Sequence, residues 1–186
     1  MTINAALEQE SHDMQRVHVV QGQYHVTGEP NMMLTTLLGS CVSACMRDPV
    51  VQVGGINHFL LPDRDHASDG EKLRYGTHAM ELLINAILRR GGQRDRLELS
   101  LFGGANITTN FANLGGMNAD FAEEFVRREG IAYKGGSLRG DCPRKIQFWP
   151  TSGRARQQLL ANDPKLQADL RADFTKLPRG NAVELF

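Results

Sequence analysis

The chain has 186 residues, with 21 Lys plus Arg against 21 Asp plus Glu, 41% hydrophobic residues and 19 glycines. The formal net charge of zero argues against a global electrostatic attraction to nucleic acid or to acidic membranes. The apolar and glycine content excludes a disordered or a purely helical chain. We therefore predict one turn-rich domain that mixes α-helices and β-strands.

The N-terminal segment is polar and acidic, so it lacks the basic region and apolar run of a signal peptide. No apolar stretch approaches the roughly 18 residues that a membrane-spanning helix needs. We therefore expect a cytoplasmic protein without membrane insertion. The three cysteines are an odd number, and disulfides are uncommon in a reducing cytosol, so free thiols are expected.

The chain divides into three predicted regions. Residues 1–16 form a flexible N-terminal extension, and residues 17–160 form the folded domain. Residues 161–186 form a C-terminal helix and tail, because Asp163 and Pro164 are typical of a helix start and apolar residues follow at helical spacing.

Three short strands are predicted before the first cysteine, at Val17–Gln21, Tyr24–Val26 and Met32–Leu37. The third strand leads to Gly39 and Ser40, directly before Cys41. This small, flexible pair leaves room near the sulfur for a substrate or for backbone N–H donors. Cys41 is therefore a candidate nucleophile.

A histidine follows on the next apolar run. His58 lies within Ile56–Leu61, which we predict to be a strand that pairs with Val42–Met46 and so brings the imidazole within reach of Cys41. A neighbouring imidazolium lowers the pKa of a thiol from its reference value of about 8.5, which is the minimum requirement for cysteine catalysis. On residue types alone, such a pair is more often part of the packed core.

The rest of the domain alternates between helices and strands. A charged loop after Pro62 is expected to border the site. Predicted helices and strands then follow in the order helix Tyr75–Arg90, strand Leu97–Phe102, helix Leu114–Arg128, strand Ile131–Lys134 and strand Lys145–Trp149.

The pattern TxxLGSCVxxC, followed by GGxNHFLLP, resembles the CheD family of chemoreceptor glutamine deamidases of bacterial chemotaxis. In that family the catalytic cysteine is the last residue of an LGSC motif, and the catalytic histidine lies in a GGxxHxxLP motif. A threonine lies six residues before the cysteine, at the start of TxxLGSC. The matching positions are Cys41, His58 and Thr35. Further matching words, such as GGA after the Leu97–Phe102 strand, extend the resemblance over most of the chain.

The resemblance implies a single α+β domain, in which mixed β-sheets pack against helices as a layered α/β sandwich. It also implies hydrolysis of glutamine amides to glutamate on the cytoplasmic domain of chemoreceptors, without a metal or other cofactor. Cys41 would form a thioester, and His58 would stabilise the thiolate, protonate the leaving ammonia and activate water. Thr35 would hydrogen-bond to the imidazole. Backbone N–H groups around Gly39 and Ser40 would stabilise the oxyanion.

Three alternatives stay open at this point. The same chemistry on an ester would hydrolyse glutamyl methyl esters. A metal site would use Cys41, Cys45 and His58, with or without Cys142, although Cys45 is also expected as a core residue on the same face as Cys41. A non-catalytic adaptor would bind receptors or a CheC-like phosphatase, which relatives of this family also bind.

Overall fold

A computed structural model describes residues 14–62, 68–107 and 113–161. The predicted C-terminal helix and tail, from Asp163 onward, and most of the predicted N-terminal extension lie outside the described residues. The described part contains β1 (Gln15–His18), β2 (Tyr24–Thr27), β3 (Met32–Leu38), β4 (Val42–Asp48), β5 (Val53–Asn57), α1 (Asp69–Leu88), β6 (Glu98–Gly103), α2 (Leu114–Glu129), β7 (Ala132–Leu138), β8 (Arg144–Trp149) and β9 (Arg154–Leu159), with a 3₁₀ turn at Arg94–Arg96.

The strands form two mixed sheets. The first has the order β1-β3-β8-β9, and the second has the order β2-β5-β4-β6-β7. In the first sheet β1 runs parallel to β3, and in the second β6 runs parallel to β7, whereas the other pairs are antiparallel. The prediction of an α+β domain with mixed sheets is confirmed.

The two sheets and the two helices form three layers with a core on each side of the second sheet. Strand β4 shows this division, because its residues are buried on both faces. Val42, Ala44 and Met46 pack toward α1 and α2, whereas Cys41 and Cys45 join the core between the two sheets. The prediction that the two cysteines share a face is therefore confirmed, and Cys41 lies at the edge of the core between the sheets.

Helix α1 starts earlier than predicted, at Asp69 rather than at Tyr75. A capping box begins it: Glu71 N donates to Ser68 Oγ at 3.3 Å, and Ser68 N donates to Glu71 Oε2 at 2.7 Å. The segment assigned to a charged loop thus supplies the first turn and a half of the helix. No helix among the described residues is long and apolar enough to cross a membrane.

The strand that was expected to carry His58 is displaced toward the N-terminus. Strand β5 ends at Asn57, so His58 lies just beyond it, and Gly54 and Gly55 lie inside the strand rather than in a turn. A Cβ on Gly55 would come within 2.1 Å of the carbonyl oxygen of His25, so the close approach of β2 requires glycine there. Pairing with β4 nevertheless continues past the end of β5, as predicted.

Candidate active site

The backbone of His58 is held on both sides by the turn between β1 and β2. His58 N donates to Gln23 O at 2.9 Å, and Gly22 N donates to His58 O at 2.8 Å. The histidine is 5% exposed. Sequence reasoning assigned no role to this turn, because its residues carry no catalytic motif. The turn closes on the histidine through main-chain groups that any sequence offers.

The side chain of His58 is oriented by Thr36 on β3. Thr36 Oγ1 lies 2.7 Å from Val19 O and 2.9 Å from His58 Nδ1. A hydroxyl has one proton, and the carbonyl of Val19 accepts it, so the second contact requires Nδ1–H to donate to Thr36 Oγ1. Val19 O, 3.5 Å from Nδ1, is also an acceptor. The neutral imidazole is therefore protonated on Nδ1, which leaves Nε2 as its basic nitrogen.

Thr35, the threonine predicted to hold the imidazole, faces the other way. Its Oγ1 donates to Ile146 O on β8 at 2.8 Å. Successive residues of a strand point to opposite faces, and the interior face of β3 carries Thr36 together with Leu34 and Leu38. The structure thus corrects the predicted hydrogen bond, since Thr36 is the residue in contact with His58.

Cys41 follows the bend at Gly39 and Ser40, between β3 and β4, and is 4% exposed. The turn after β6 clamps this bend, because Gly104 N donates to Cys41 O at 2.7 Å and Ala105 N donates to Gly39 O at 2.9 Å. The GGA motif noted in the sequence, Gly103-Gly104-Ala105, forms this clamp. It thereby fixes the main chain on both sides of Ser40.

Close packing explains the glycine that begins the clamp. Gly103 has φ +112°, and a Cβ on it would lie 2.1 Å from Cys41 O. An L side chain at this position would therefore push the carbonyl of Cys41 away, besides being strained in its own backbone. A small residue beside the nucleophile keeps the two turns in contact.

Cys41 and His58 lie on neighbouring segments of one sheet. The antiparallel pairing of β4 with β5 continues into a bridge between Val42 and Phe59, whose backbone N–H groups each donate to the other's carbonyl at 2.9 Å. This register places His58 diagonally across from Cys41 on the same face, and diagonal neighbours are within reach of long side chains. Sulfur and imidazole thus occupy the same edge of the core between the sheets.

A hydrogen-bond partner of the sulfur is a residue that the sequence analysis missed. The thiol of Cys41 donates to Gln21 Oε1, with 3.4 Å between sulfur and oxygen, and Gln21 is 7% exposed. Gln21 belongs to the same β1–β2 turn that holds the backbone of His58. A buried polar residue beside a candidate nucleophile is recognisable only once the turn is folded onto it.

Helix α1 also reaches the site. A cavity of about 150 Å³ opens beside His58 between the β1–β2 turn, the end of β5 and the helix, and is lined by Gly22, Gln23, Tyr24, Asn57, His58, Phe59, Tyr75, His78, Ala79 and Leu82. Burial raises the pKa of Tyr75, and the negative charge of a nearby Cys41 thiolate raises it further. Tyr75 therefore borders the cavity beside His58.

The other two cysteines have different surroundings. Cys45 is 2% exposed, and burial raises the pKa of its thiol far above the ordinary value. Cys142 is partly exposed, and its thiol contacts Asp141 Oδ1 at 3.3 Å. Within residues 14–62, 68–107 and 113–161, no three His, Cys, Asp or Glu side chains are grouped in a way that holds a metal ion.

Comparison with known proteins identifies the family. The family model CheD, described as chemotactic sensory transduction, matches residues 60–158. Proteins named probable chemoreceptor glutamine deamidase CheD are 53% identical in Acidiphilium cryptum (strain JF-5), over 92% of this chain and 93% of that one, and 53% identical in Agrobacterium fabrum, over 92% and 96%. A protein of the same name from Caulobacter vibrioides (strain NA1000 / CB15N) is 53% identical over 80% of each chain. The chain therefore belongs to the CheD family.

Proposed function

We propose that this protein is a chemoreceptor glutamine deamidase, which hydrolyses the side-chain amide of protein glutamines to glutamate and releases ammonia. The observation that carries the proposal is the hydrogen-bond relay from His58 Nδ1 through Thr36 to Val19, diagonally across from Cys41. A histidine with a fixed tautomer beside a cysteine is the arrangement that thiol catalysis needs. The relatives' names specify the same reaction.

The first half of the reaction forms a thioester. His58 Nε2 takes the proton of the Cys41 thiol, and the thiolate attacks the carboxamide carbon of the substrate glutamine. The carbon–oxygen π bond opens to an oxyanion. When it closes again, the carbon–nitrogen bond breaks, and the imidazolium gives its Nε2 proton to the departing nitrogen, which leaves as ammonia.

The second half restores the enzyme. His58, again neutral, takes a proton from a water molecule that attacks the thioester carbon. The bond between carbon and Cys41 sulfur then breaks to give glutamate, and the imidazolium returns its Nε2 proton to the sulfur, which restores the thiol. Throughout both halves Nδ1–H keeps its contacts with Thr36 and Val19 O. Nδ1–H therefore stays on the same nitrogen in both ring states, and only Nε2 exchanges a proton during the reaction.

The bend before the nucleophile supplies oxyanion donors in this proposal. The N–H groups around Ser40 and Cys41 lie next to the sulfur, on a bend that the Gly104 and Ala105 clamp holds in place. Donors fixed before the reaction need no reorganisation, and the loss of one such donor costs about 3–4 kcal/mol in comparable sites. The predicted roles of Gly39 and Ser40 are thus backbone roles.

The proposed substrate is the cytoplasmic domain of chemoreceptors, which places the enzyme in the cytoplasm. Tyr24 and Tyr75, 36% and 38% exposed, lie at the cavity beside His58 and offer an aromatic surface to a protein chain that presents a glutamine. A CheC-like phosphatase is a second proposed partner, motivated by the family resemblance. Co-sedimentation of the two purified proteins tests that association.

The deciding experiment measures the intact mass of a chemoreceptor cytoplasmic fragment after incubation with the protein. Each converted glutamine adds about one mass unit, since an amide NH₂ is replaced by OH. We expect conversion with the wild-type protein and none with Cys41→Ala or His58→Ala. Peptide mapping then identifies the glutamines.

Two outcomes separate this proposal from its alternatives. No mass change with any cognate receptor fragment would contradict the deamidase activity. A Cys41→Ala protein that restores chemotaxis in cells lacking the enzyme would instead favour the non-catalytic adaptor, because such a protein still binds its partners but has no nucleophile.

A further inference from the structure

The carboxamide of Gln21 lies against the reacting atom of the proposed mechanism. Its Oε1 accepts a hydrogen bond from the Cys41 thiol at 3.4 Å, and the side chain is 7% exposed. A buried amide that contacts a nucleophilic sulfur bears directly on the reaction, since the sulfur becomes negatively charged twice in each turnover.

The backbone around Gln21 is tied to the rest of the site on both sides. Val19 N donates to Thr35 O at 2.9 Å on one side, and Gly22 N donates to His58 O at 2.8 Å on the other. Gln23 N donates to Val20 O at 3.1 Å and closes the turn. The carboxamide is therefore positioned by the same main chain that positions the imidazole.

We propose that Gln21 is a further catalytic residue of the deamidation reaction, in which its side-chain amide stabilises the tetrahedral oxyanion. In the resting enzyme Oε1 accepts the thiol proton. When Cys41 becomes a thiolate, that oxygen faces a negative charge. Rotation of the amide group exchanges Oε1 for Nε2, because this terminal torsion is soft and the two ends have nearly the same size.

The position of the oxyanion follows from the bonds formed. The thiolate of Cys41 attacks the carboxamide carbon of the substrate, so the oxyanion lies two bonds from the sulfur. A donor in contact with the sulfur therefore reaches the oxyanion without moving its backbone. Nε2–H of Gln21 adds a side-chain donor to the backbone N–H groups of the bend at Ser40, and no proton is transferred to or from Gln21.

The test, which rests on the proposed deamidase function, compares three variants with the wild-type enzyme on the same receptor fragment. Gln21→Ala removes the amide, and Gln21→Glu keeps its shape but has no N–H donor. Gln158→Ala is the matched control, because Gln158 is an exposed glutamine on the edge strand β9, outside the proposed site. We expect kcat to fall about 100-fold in both Gln21 variants, with KM and melting temperature near wild type, and no loss in the control.

A second readout separates oxyanion stabilisation from support of the thiol. Alkylation of Cys41 by iodoacetamide uses the thiolate but forms no oxyanion, so its rate should stay within about threefold of wild type in Gln21→Ala. Alkylation that falls in step with kcat would overturn the assignment, and so would unchanged kcat in both Gln21 variants. An inactive wild-type protein would overturn the deamidase function and this assignment together, which distinguishes the two failures.

Discussion

Thr36 is the acceptor of the His58 Nδ1–H group, because its own hydroxyl proton is donated to Val19 O. The two distances, 2.9 Å to Nδ1 and 2.7 Å to the carbonyl oxygen, describe a relay that ends on the main chain. A carbonyl has no proton to offer, so the direction of both hydrogen bonds follows. Among the described residues, Nδ1 of the imidazole is therefore held by two neutral oxygen acceptors.

Replacing Thr36 by Val removes the acceptor while keeping a β-branched side chain in the strand. We expect kcat to fall about 10- to 100-fold, because the imidazole loses its fixed tautomer and part of its general acid–base contribution. The measurement is the initial rate of conversion of a receptor fragment, taken by mass spectrometry well below the melting temperature.

Thr35→Val is the matched control for that variant. Thr35 donates to Ile146 O and does not contact the imidazole in the structure, so its loss is expected to cost about 1 kcal/mol of stability and little activity. If Thr35→Val abolishes the reaction while Thr36→Val leaves it intact, the assignment of the relay to Thr36 is wrong.

Cys45→Ala should leave deamidation near the wild-type rate. Cys45 lies in the core between the sheets on the same face as Cys41, and burial raises the pKa of its thiol, so the sulfur acts as a small apolar group. The expected cost is about 1 kcal/mol of unfolding free energy from the lost sulfur contacts, measured by urea denaturation. Loss of activity in a folded Cys45→Ala protein would instead revive a shared role of the two cysteines.

The sequence was sufficient to predict the nucleophile bend and the strand pairing, but not which threonine faces the imidazole. A one-residue difference in strand phase moves a side chain to the opposite face, and the run Met32–Leu38 has two adjacent threonines and no apolar alternation that sets this phase. The position of Gln21 in the site was not predicted for a different reason. Its contact with Cys41 depends on how a turn folds over β3, and no local spacing reports that.

The same distinction applies to the fold. Helix α1 carries a visible Ser68-x-x-Glu71 capping signature, so its early start was readable from the sequence. Strand β9 was not predicted, because the segment RARQQL has no β-branched or aromatic residue. It forms at the edge of the first sheet through pairing with β8, which is a tertiary effect.

Asp48 links the stability of the fold to acidic pH. Its burial alone would raise the pKa, but hydrogen bonds from Arg96 and from the backbone of Gln93, Val50 and Val51 outweigh that effect and hold the pKa at about 2. The folded-state pKa lies below the unfolded value of about 3.9, so the stabilisation is complete above pH ~4 and is lost as the pH falls toward ~2. The amount is on the order of 2 kcal/mol.

Asp48→Asn should therefore lower the unfolding free energy at neutral pH and flatten its decline between pH ~4 and ~2. Urea denaturation at a series of pH values measures both effects. Asp69→Asn is the control, because the side chain of Asp69 is fully exposed. The unfolding free energy of this variant should decline at acidic pH as that of the wild type does. If the unfolding free energy of Asp48→Asn declines at acidic pH as steeply as that of the wild type, other carboxylates cause the decline.

Arg144 supports the loop on which the nucleophile clamp rests. The guanidinium is 2% exposed, and its Nη1 donates to Ser137 O at 2.5 Å and to Ser137 Oγ at 2.9 Å, while Nη2 donates to Arg139 O. Burial lowers the pKa of Arg144. The planar fork of arginine allows one residue to bind several acceptors at fixed angles.

The loop held by Arg144 connects to the turn beside the nucleophile. Arg139 N donates to Gly103 O at 2.8 Å, and Asn106 N donates to Gly140 O at 2.8 Å. These bonds bracket the turn whose Gly104 N binds Cys41 O. A defect at Arg144 therefore reaches the bend before Cys41 through main-chain hydrogen bonds.

Arg144→Met should destabilise the protein by about 1–3 kcal/mol, because it removes the hydrogen bonds from the guanidinium to the carbonyl groups of Ser137 and Arg139. It should also lower kcat at temperatures where the variant is fully folded, since the clamp on the Cys41 bend loosens. Arg154→Ala is the matched control. Arg154 lies on the edge strand β9, and its guanidinium carbon is 4.0 Å from the centre of the Trp149 ring. This contact is expected to contribute only about 0.5–1 kcal/mol of stability. Equal losses of unfolding free energy in the two variants would show that the contacts of Arg144 contribute no more than those of an exposed arginine. A loss of stability without any change in kcat would show that the clamp holds the bend without the loop.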